Sequence, residues 1–357
     1  MTTLSIKDSL RQSVEAASGG AQTVLYTAKG QPTYMNIVEK FDLSTINPNL
    51  SGTHPAFIIN GVEKDKIFIG TYQGVIRNGE LLSLPNVDPA SGNTFDTYVS
   101  AARACGNGHH LMTGAEWGAV AMKCYADNTV PLGNNYFGRT VEDASQYGRR
   151  IDGISATAGI TTGSPRTFTG SGPVSWRHNR KYNGISDLNG NINEIVAGVR
   201  LFNGELQVIE NNDAAIASVS FATGSASWKA IDGATGNLVA PDGNGTTVGT
   251  VKFAASGTAD YTIVSSSTNK IGEMTNPSST KAVSTAALAK IRALALYPFL
   301  ASANIYENDV VIFRYAVDLL MCRGGMFGHG AGAGVCAMVN GVLRTDAAGA
   351  RPAYYTP

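Results

Sequence analysis

Four cysteines, five histidines and a close run of oxygen-bearing side chains are the residues whose chemistry has to be weighed first. Cys105, Cys124, Cys322 and Cys336 contain no C-x-x-C pair, so their spacing does not suit a zinc site. Cys105 and Cys124 could pair in an oxidising compartment. Met1–Gly20 is polar and mixed in charge rather than a secretory signal, and the expectation is therefore free, buried thiols. Cys322 closes Ala316–Cys322, apolar apart from Asp318, where a small buried hydrophobe is the default. His109 and His110 precede a helical pattern and His178 follows Trp176-Arg177, but none has metal-ligand or triad spacing. They read as solvent-facing or hydrogen-bonded loop histidines. Gly328-His-Gly-Ala-Gly-Ala-Gly334 lacks the lysine and the following apolar helix of a phosphate cradle. Asp187, Asn189, Asn191 and Glu194 offer hard oxygen ligands at close spacing, as calcium prefers. The competing reading has these side chains capping loops and bracing backbone, with no cofactor.

The C-terminal stretch has the composition of a contact surface. Met326-Phe-Gly-His329 sets an aromatic ring and an imidazole in a glycine-flanked loop. In the strand expected over Gly334–Asn340, Val335, Ala337 and Val339 face one side, and Cys336, Met338 and Asn340 the other.

Composition narrows the function classes. Lys+Arg and Asp+Glu are balanced at 27 each, so no long-range field gathers nucleic acid or an anionic membrane. No apolar run is long enough to insert in a bilayer. Charged residues make up only 15% of the 357-residue chain, and 41 glycines point to a fold rich in loops and turns.

These groups need elements to position them. The pattern predicts a helix over Asp8–Ala17, an N-terminal arm of short strands over 1–50, and a hairpin from Ala56–Val62 and Lys66–Tyr72. Helices are predicted over Asn93–Cys105 and over Thr113–Tyr125, the second behind the capping box Thr113-Gly-Ala-Glu116. Asn128–Tyr182 reads as long loops. Phe202-Asn-Gly-Glu205 is a hairpin turn. Strands follow over Thr247–Ala254 and Ala259–Ser265, then a helix over Thr285–Tyr297 stopped by Pro298.

Three motifs in series resemble one family. His110-Leu-Met-Thr-Gly-Ala-Glu-Trp117 opens a helix, Asn183-Gly-Ile-Ser-Asp-Leu-Asn-Gly-Asn-Ile-Asn-Glu194 precedes a strand, and Arg323-Gly-Gly325 opens a segment closed by Gly349-Ala-Arg-Pro-Ala353. This order resembles the C-type-lectin-like branch shared by formylglycine-generating enzymes and the variable proteins of diversity-generating retroelements, phage tropism determinants among them. The match spans about 56–355. The middle motif departs from the family, with Asn193 and Ile195 where two tryptophans are usual.

The resemblance implies an α+β C-type-lectin-like fold over 51–357, with a β-rich insertion at about 201–300. It also implies a phage- or prophage-encoded protein, hypervariable at its C-terminal segment, that binds a protein or glycan receptor on a cell surface; the wide spacing of Cys322 and Cys336 and the apolar run around Cys322 add the expectation that it is not an enzyme. A homotrimer, assembly in the host cytoplasm and a place on the virion or cell surface belong to the same expectation. The implied ligand-binding residues are Met326, Phe327, Gly328, His329, Gly332, Cys336, Met338, Asn340, Asp346 and Ala347. Met326, Phe327 and Met338 have a competing role as scaffold. The family also allows structural calcium near Asp187, Asn189, Asn191 and Glu194. Two alternatives stand beside this: an oxidase of the formylglycine-generating type, although Cys322 and Cys336 lie farther apart than its close cysteine pair, and a structural virion component joined through the insertion.

Overall fold

The computed structural model describes residues 8–257, 259–265, 270–300, 306, 308–315, 318–342 and 348–357, and for 340–342 the backbone alone. Among these residues the chain is α+β, with four α-helices and several antiparallel and mixed sheets, none closed into a barrel. No helix among them is long and apolar enough to cross a membrane.

Helix α1 (Ser9–Ser18) is capped by Asp8, whose carboxylate accepts the Arg11 N–H, and ends at Gly19 in the left-handed region. Strands β1 (Gln22–Tyr26) and β2 (Pro32–Glu39) follow. The hairpin expected from Ala56 to Tyr72 forms differently. Ala56 and Phe57 sit in a 3-10 turn begun by His54 and Pro55, and β3 (Ile58–Ile59) pairs with β4 (Val62–Glu63) through Asn60-Gly61. Both turn residues have positive φ, 52° and 72°. That tight Asn-Gly turn outcompetes the longer charged one, and β5 (Lys66–Gly70) is left to pair with β2. A second hairpin, β6 (Gly74–Arg77) and β7 (Glu80–Ser83), leads to α2 (Phe95–Ala104), capped by Thr94.

After β8 (His109–Leu111), the capping box between Thr113 and Glu116 starts α3 (Gly114–Ala126) where the sequence predicts it. Eleven of its residues are buried, so it forms the centre of the molecule rather than a surface helix. Residues 128–182 then run as long loops with one 3-10 turn at Val174–Trp176, as expected. Strands β9 (Glu194–Phe202) and β10 (Glu205–Ile209) are joined by Asn203-Gly204, whose φ values of 48° and 86° give the two-residue turn its twist.

The chain continues with β11 (Trp228–Ile231), β12 (Leu238–Val239), β13 (Lys252–Ala254) and β14 (Thr262–Val264); the last two are shorter than expected and parallel. Helix α4 (Thr285–Ala293) stops four residues before the expected end, because Ala295 turns the chain with φ 50°. Strands β15 (Val311–Ile312), β16 (Asp318–Gly324), β17 (Gly334–Val342) and β18 (Pro352–Tyr354) complete the chain.

Two sheets organise these elements. One runs β1-β2-β5-β18-β8, so the N-terminal arm and the C-terminus share a sheet. The other runs β12-β11-β10-β9-β16-β17-β15, with β13 and β14 attached through β10. Residues 201–300 therefore widen the sheet that holds the C-terminal segment. Its two faces serve two cores. Val196, Val199, Leu201, Met321 and Met338 pack with α3 and α4, while Ile195, Ala197, Leu320 and Cys322 pack with Phe95 and Tyr98 of α2.

Candidate functional site

The middle motif and the closing motif meet at a buried ion pair. Glu194 begins β9 and Arg351 directly precedes β18; both are about 1% exposed. Arg351 donates through Nε to Glu194 Oε2 at 2.8 Å and through Nη2 to Oε1 at 2.7 Å, the planar fork-on-carboxylate geometry that arginine favours. Its remaining donors reach the carbonyls of Gly70 and Ser186, both at 2.9 Å. Gln73 Nε2 donates to Glu194 Oε1 at 3.0 Å. Burial pushes the Glu194 carboxyl above its ordinary value, while Arg351 and Gln73 pull the other way. One guanidinium thus ties the five-stranded sheet to the first strand of the wide one.

The residues expected to offer oxygens to calcium are gathered in this buried region, and most of their oxygens already serve protein donors. Asp187 Oδ2 accepts the Gly170 N–H at 2.8 Å. Asn191 Oδ1 accepts the Thr167 N–H at 2.8 Å, and its amide donates to Gln73 Oε1 at 2.7 Å. Asn189 donates to the Pro131 carbonyl at 3.0 Å, and its Oδ1 is buried without a partner among the described residues. Together they pin the 128–182 loops to the motif.

From that anchor the chain presents its C-terminal segment. Gly324 ends β16 with φ 85°, and a Cβ there would stand 3.0 Å from the Leu188 carbonyl and 3.3 Å from Trp117, which is why the Arg-Gly-Gly motif needs glycine at this position. The following loop is hung on backbone bonds: Gly190 N–H to Gly324 O at 2.8 Å, Phe137 N–H to Phe327 O at 2.9 Å, and Gly330 N–H to Asn135 O at 2.9 Å. Trp117 Nε1 donates to the Val335 carbonyl at 2.7 Å, fixing the start of β17 to α3.

Gly328 is exposed, and Met326, Phe327, His329 and Gly332 are partly exposed. Cys336 and Met338 are 0% exposed, which corrects their expected place on the display surface. The two-face alternation expected for this strand assumed one open face. β17 instead lies between β16 and β15, with a register shift at Arg323/Gly324, and Val335, Cys336 and Met338 all enter one core. Asn340 lies on β17, and Asp346 and Ala347 fall outside the described residues.

A cleft of about 140 Å³ borders this loop, lined by Arg166, Asn191, Asn193, Met326, Phe327 and Gly349 among others. The middle motif, the 326–332 loop and the closing motif meet there. It is smaller than the roughly 300 Å³ of ordinary small-molecule pockets, so its size suits one protruding group of a larger ligand. The sequence reading missed the aromatic residues beside it: the Phe327 ring lies 5.9 Å from Phe137, which lies 5.3 Å from Tyr136. Adjacent Tyr136 and Phe137 in an otherwise polar loop were the available signal.

The other reactive groups are enclosed. All four cysteines are free and buried, as expected. Cys322 pairs in register with Val339, not Cys336, and burial pushes the Cys336 thiol well above its ordinary value. His109 and His110, expected in a loop, are buried on β8, and His54 is fully buried; His178 is a partly buried loop residue held by a hydrogen bond, as expected. His54 Nε2 is 2.8 Å from the Ala293 carbonyl, His110 Nε2 is 2.8 Å from Glu116 Oε1, and His178 Nδ1 accepts the Ile185 N–H at 2.7 Å. Among the described residues no three His, Cys, Asp or Glu side chains are grouped to hold a metal ion.

No protein-family model matches this chain, and no curated protein matches it significantly.

Proposed function

We propose that the chain is a binding protein of C-type-lectin-like fold whose C-terminal segment, between Gly325 and Gly349, meets a protein or glycan receptor on a cell surface. The observation that carries this reading is the Glu194–Arg351 pair. It fixes the far end of the segment to the strand that also pairs with β16, so both ends of the segment are tied to one frame while Met326–Gly332 reaches the surface. A face that changes while its frame stays rigid is the economy of a paratope. Phage or prophage origin and diversification by a retroelement belong to the same proposal, and the reading requires no cofactor. An oxidase of formylglycine-generating type would need a reachable thiolate, and the burial of Cys322 and Cys336 weighs against it.

The test is binding of the labelled full chain to a panel of intact bacterial cells, by flow cytometry. Replacing Phe327 and His329 together with serine is expected to lower cell binding at least about tenfold while the melting temperature stays within a few degrees. Equal binding by the variant, or no binding to any cell, would overturn the assignment of this face.

A further inference from the structure

Among the described residues, each buried arginine but one has an oxygen to donate to. Arg150 pairs with Asp152, Arg200 with Asp318 and Arg351 with Glu194, while Arg177 and Arg323 donate to backbone carbonyls; Arg150 Nη1 and Arg323 Nε and Nη1 are also without partners, but each of these side chains has at least one acceptor. Arg139 is the exception. It is 9% exposed, its Nε is buried without a partner, and no described carboxylate lies within 4.0 Å of it. Its guanidinium carbon sits 4.8 Å from the centroid of the Tyr136 ring, so the one compensation in view is an aromatic face.

Burying a cation without an acceptor is unfavourable, and proteins keep such groups where something else completes them. The nearby carboxylates are committed elsewhere. Glu142 accepts from Asn135 Nδ2 at 3.0 Å and from the Thr140 hydroxyl, and Asp143 accepts from Ser145 and Gln146. Arg149 adds a second positive charge without a carboxylate partner, its Nη2 donating to Asn86 Oδ1 at 3.1 Å.

The surroundings connect this cation to the display loop. Tyr136 touches Phe137, Phe137 touches Phe327, and the Phe137 N–H donates to the Phe327 carbonyl. Tyr147 lies opposite Arg139 in an antiparallel bridge and is 61% exposed; Val141 is 40% exposed. Tyrosine and arginine beside phenylalanine is the composition of protein-binding hot spots. With Tyr136 covering one face, the guanidinium has its in-plane donors left to offer, the geometry a carboxylate matches with two parallel bonds. A polyanion such as nucleic acid would call for a wide basic surface, which a chain with 27 cationic and 27 anionic residues does not supply.

We infer that the receptor-binding face extends from Met326–Gly332 across residues 136–147, and that Arg139 is its anion-recognition residue, taking an aspartate or glutamate side chain of a protein receptor. This rests on the proposed binding role of the display loop. Receptor binding gives the terminal Nη donors of Arg139, which are not among the buried orphans, a carboxylate to pair with, while apolar groups of the partner rest on Tyr147, Val141 and Phe327.

The experiment is selection of a random peptide library on the immobilised full chain, followed by affinity measurement of the enriched peptides on variants. Peptides rich in Asp or Glu beside apolar residues are expected, with affinity falling about tenfold or more in Arg139→Gln, less in Arg139→Lys, and also in Phe327→Ala. If Arg139→Gln does not fold, Tyr147→Ser, at an exposed position, replaces it, with a loss of severalfold expected. Peptides without acidic bias whose binding falls in Phe327→Ala but not in Arg139→Gln or Tyr147→Ser would overturn this inference and leave the display face intact. Peptides insensitive to all three, or no enrichment, would overturn the display face with it. Capture of acidic oligosaccharides on a glycan array, without acidic peptides, would overturn the assignment to a protein receptor.

Discussion

Removing Glu194 and removing Arg351 should have different consequences, although each breaks the same pair. In Glu194→Gln the Arg351 guanidinium stays buried, and it cannot shed its proton at any pH at which the protein is folded. Breaking a buried pair from this side costs about 3–5 kcal/mol, a large part of the ~5–15 kcal/mol that holds a typical domain. In Arg351→Met the stranded group is a carboxyl, which can protonate. Starting from the ordinary value of 4.5, holding it neutral at pH 7 costs at most about 3.4 kcal/mol, at ~1.36 kcal/mol per pH unit. The sign follows from linkage. The variant's folded pKa lies above the unfolded value, so the folded state binds more protons, and its stability recovers as pH falls from 7 toward 4.5. Urea unfolding of both variants and the parent at pH 7 and pH 5 measures this. The expected result is a deficit in Arg351→Met that shrinks by up to about 2.7 kcal/mol over those two units, with a deficit in Glu194→Gln that stays nearly level. A loss under about 1 kcal/mol in Glu194→Gln, or equal pH slopes for the two variants, would refute the buried pair as the anchor of the display segment.

Two further outcomes follow from enclosed titratable groups. Burial lowers His54 to about 3, and His109 and His178 to about 4, so below the unfolded value of 6.5 the unfolded chain binds more protons; stability should fall as pH drops from 6.5 toward 4, by several kcal/mol in total, with the urea midpoint as readout and a flat profile as the contrary result. The Cys105 thiol is pushed up to about 12 and the Cys336 thiol is also raised, so a thiol reagent at pH 8 should modify less than one cysteine per native chain within minutes and all four in denaturant; rapid modification of the native protein would contradict the packing.

What the sequence revealed depended on how local the determining interaction was. The Thr113–Glu116 capping box and the Asn203-Gly204 turn act within a few residues, and both elements form where expected. Free, buried cysteines were legible for a similar reason, since apolar neighbours and absent pair spacing are properties of the chain itself. The hairpin expected from Ala56 to Tyr72 went astray because the partners of β5 are β2 and β18, the latter from the far end of the chain. No pattern near Lys66 announces that contact. Cys336 and Met338 were misjudged for a related reason: alternation says which side chains share a face, but not whether a neighbouring strand and a helix cover it.

The same distinction explains why the 128–182 loops read as featureless. Their order comes from Asn134, Asn191 and Thr167 bonding across long separations, and the cation at Arg139 stands out only once every other buried arginine has been given its acceptor. A loop held this way is rigid without being regular. Because the Phe137 N–H is bonded to the Phe327 carbonyl, a change in the display loop cannot move it independently of the aromatic row. Substitutions at Gly328, His329 and Gly332 would therefore vary the edge of a face whose centre, Tyr136 with Arg139, stays in place. In the proposed binding role, that arrangement would separate two demands: the fixed residues would set the common chemistry of the partners accepted, and the loop would select among them.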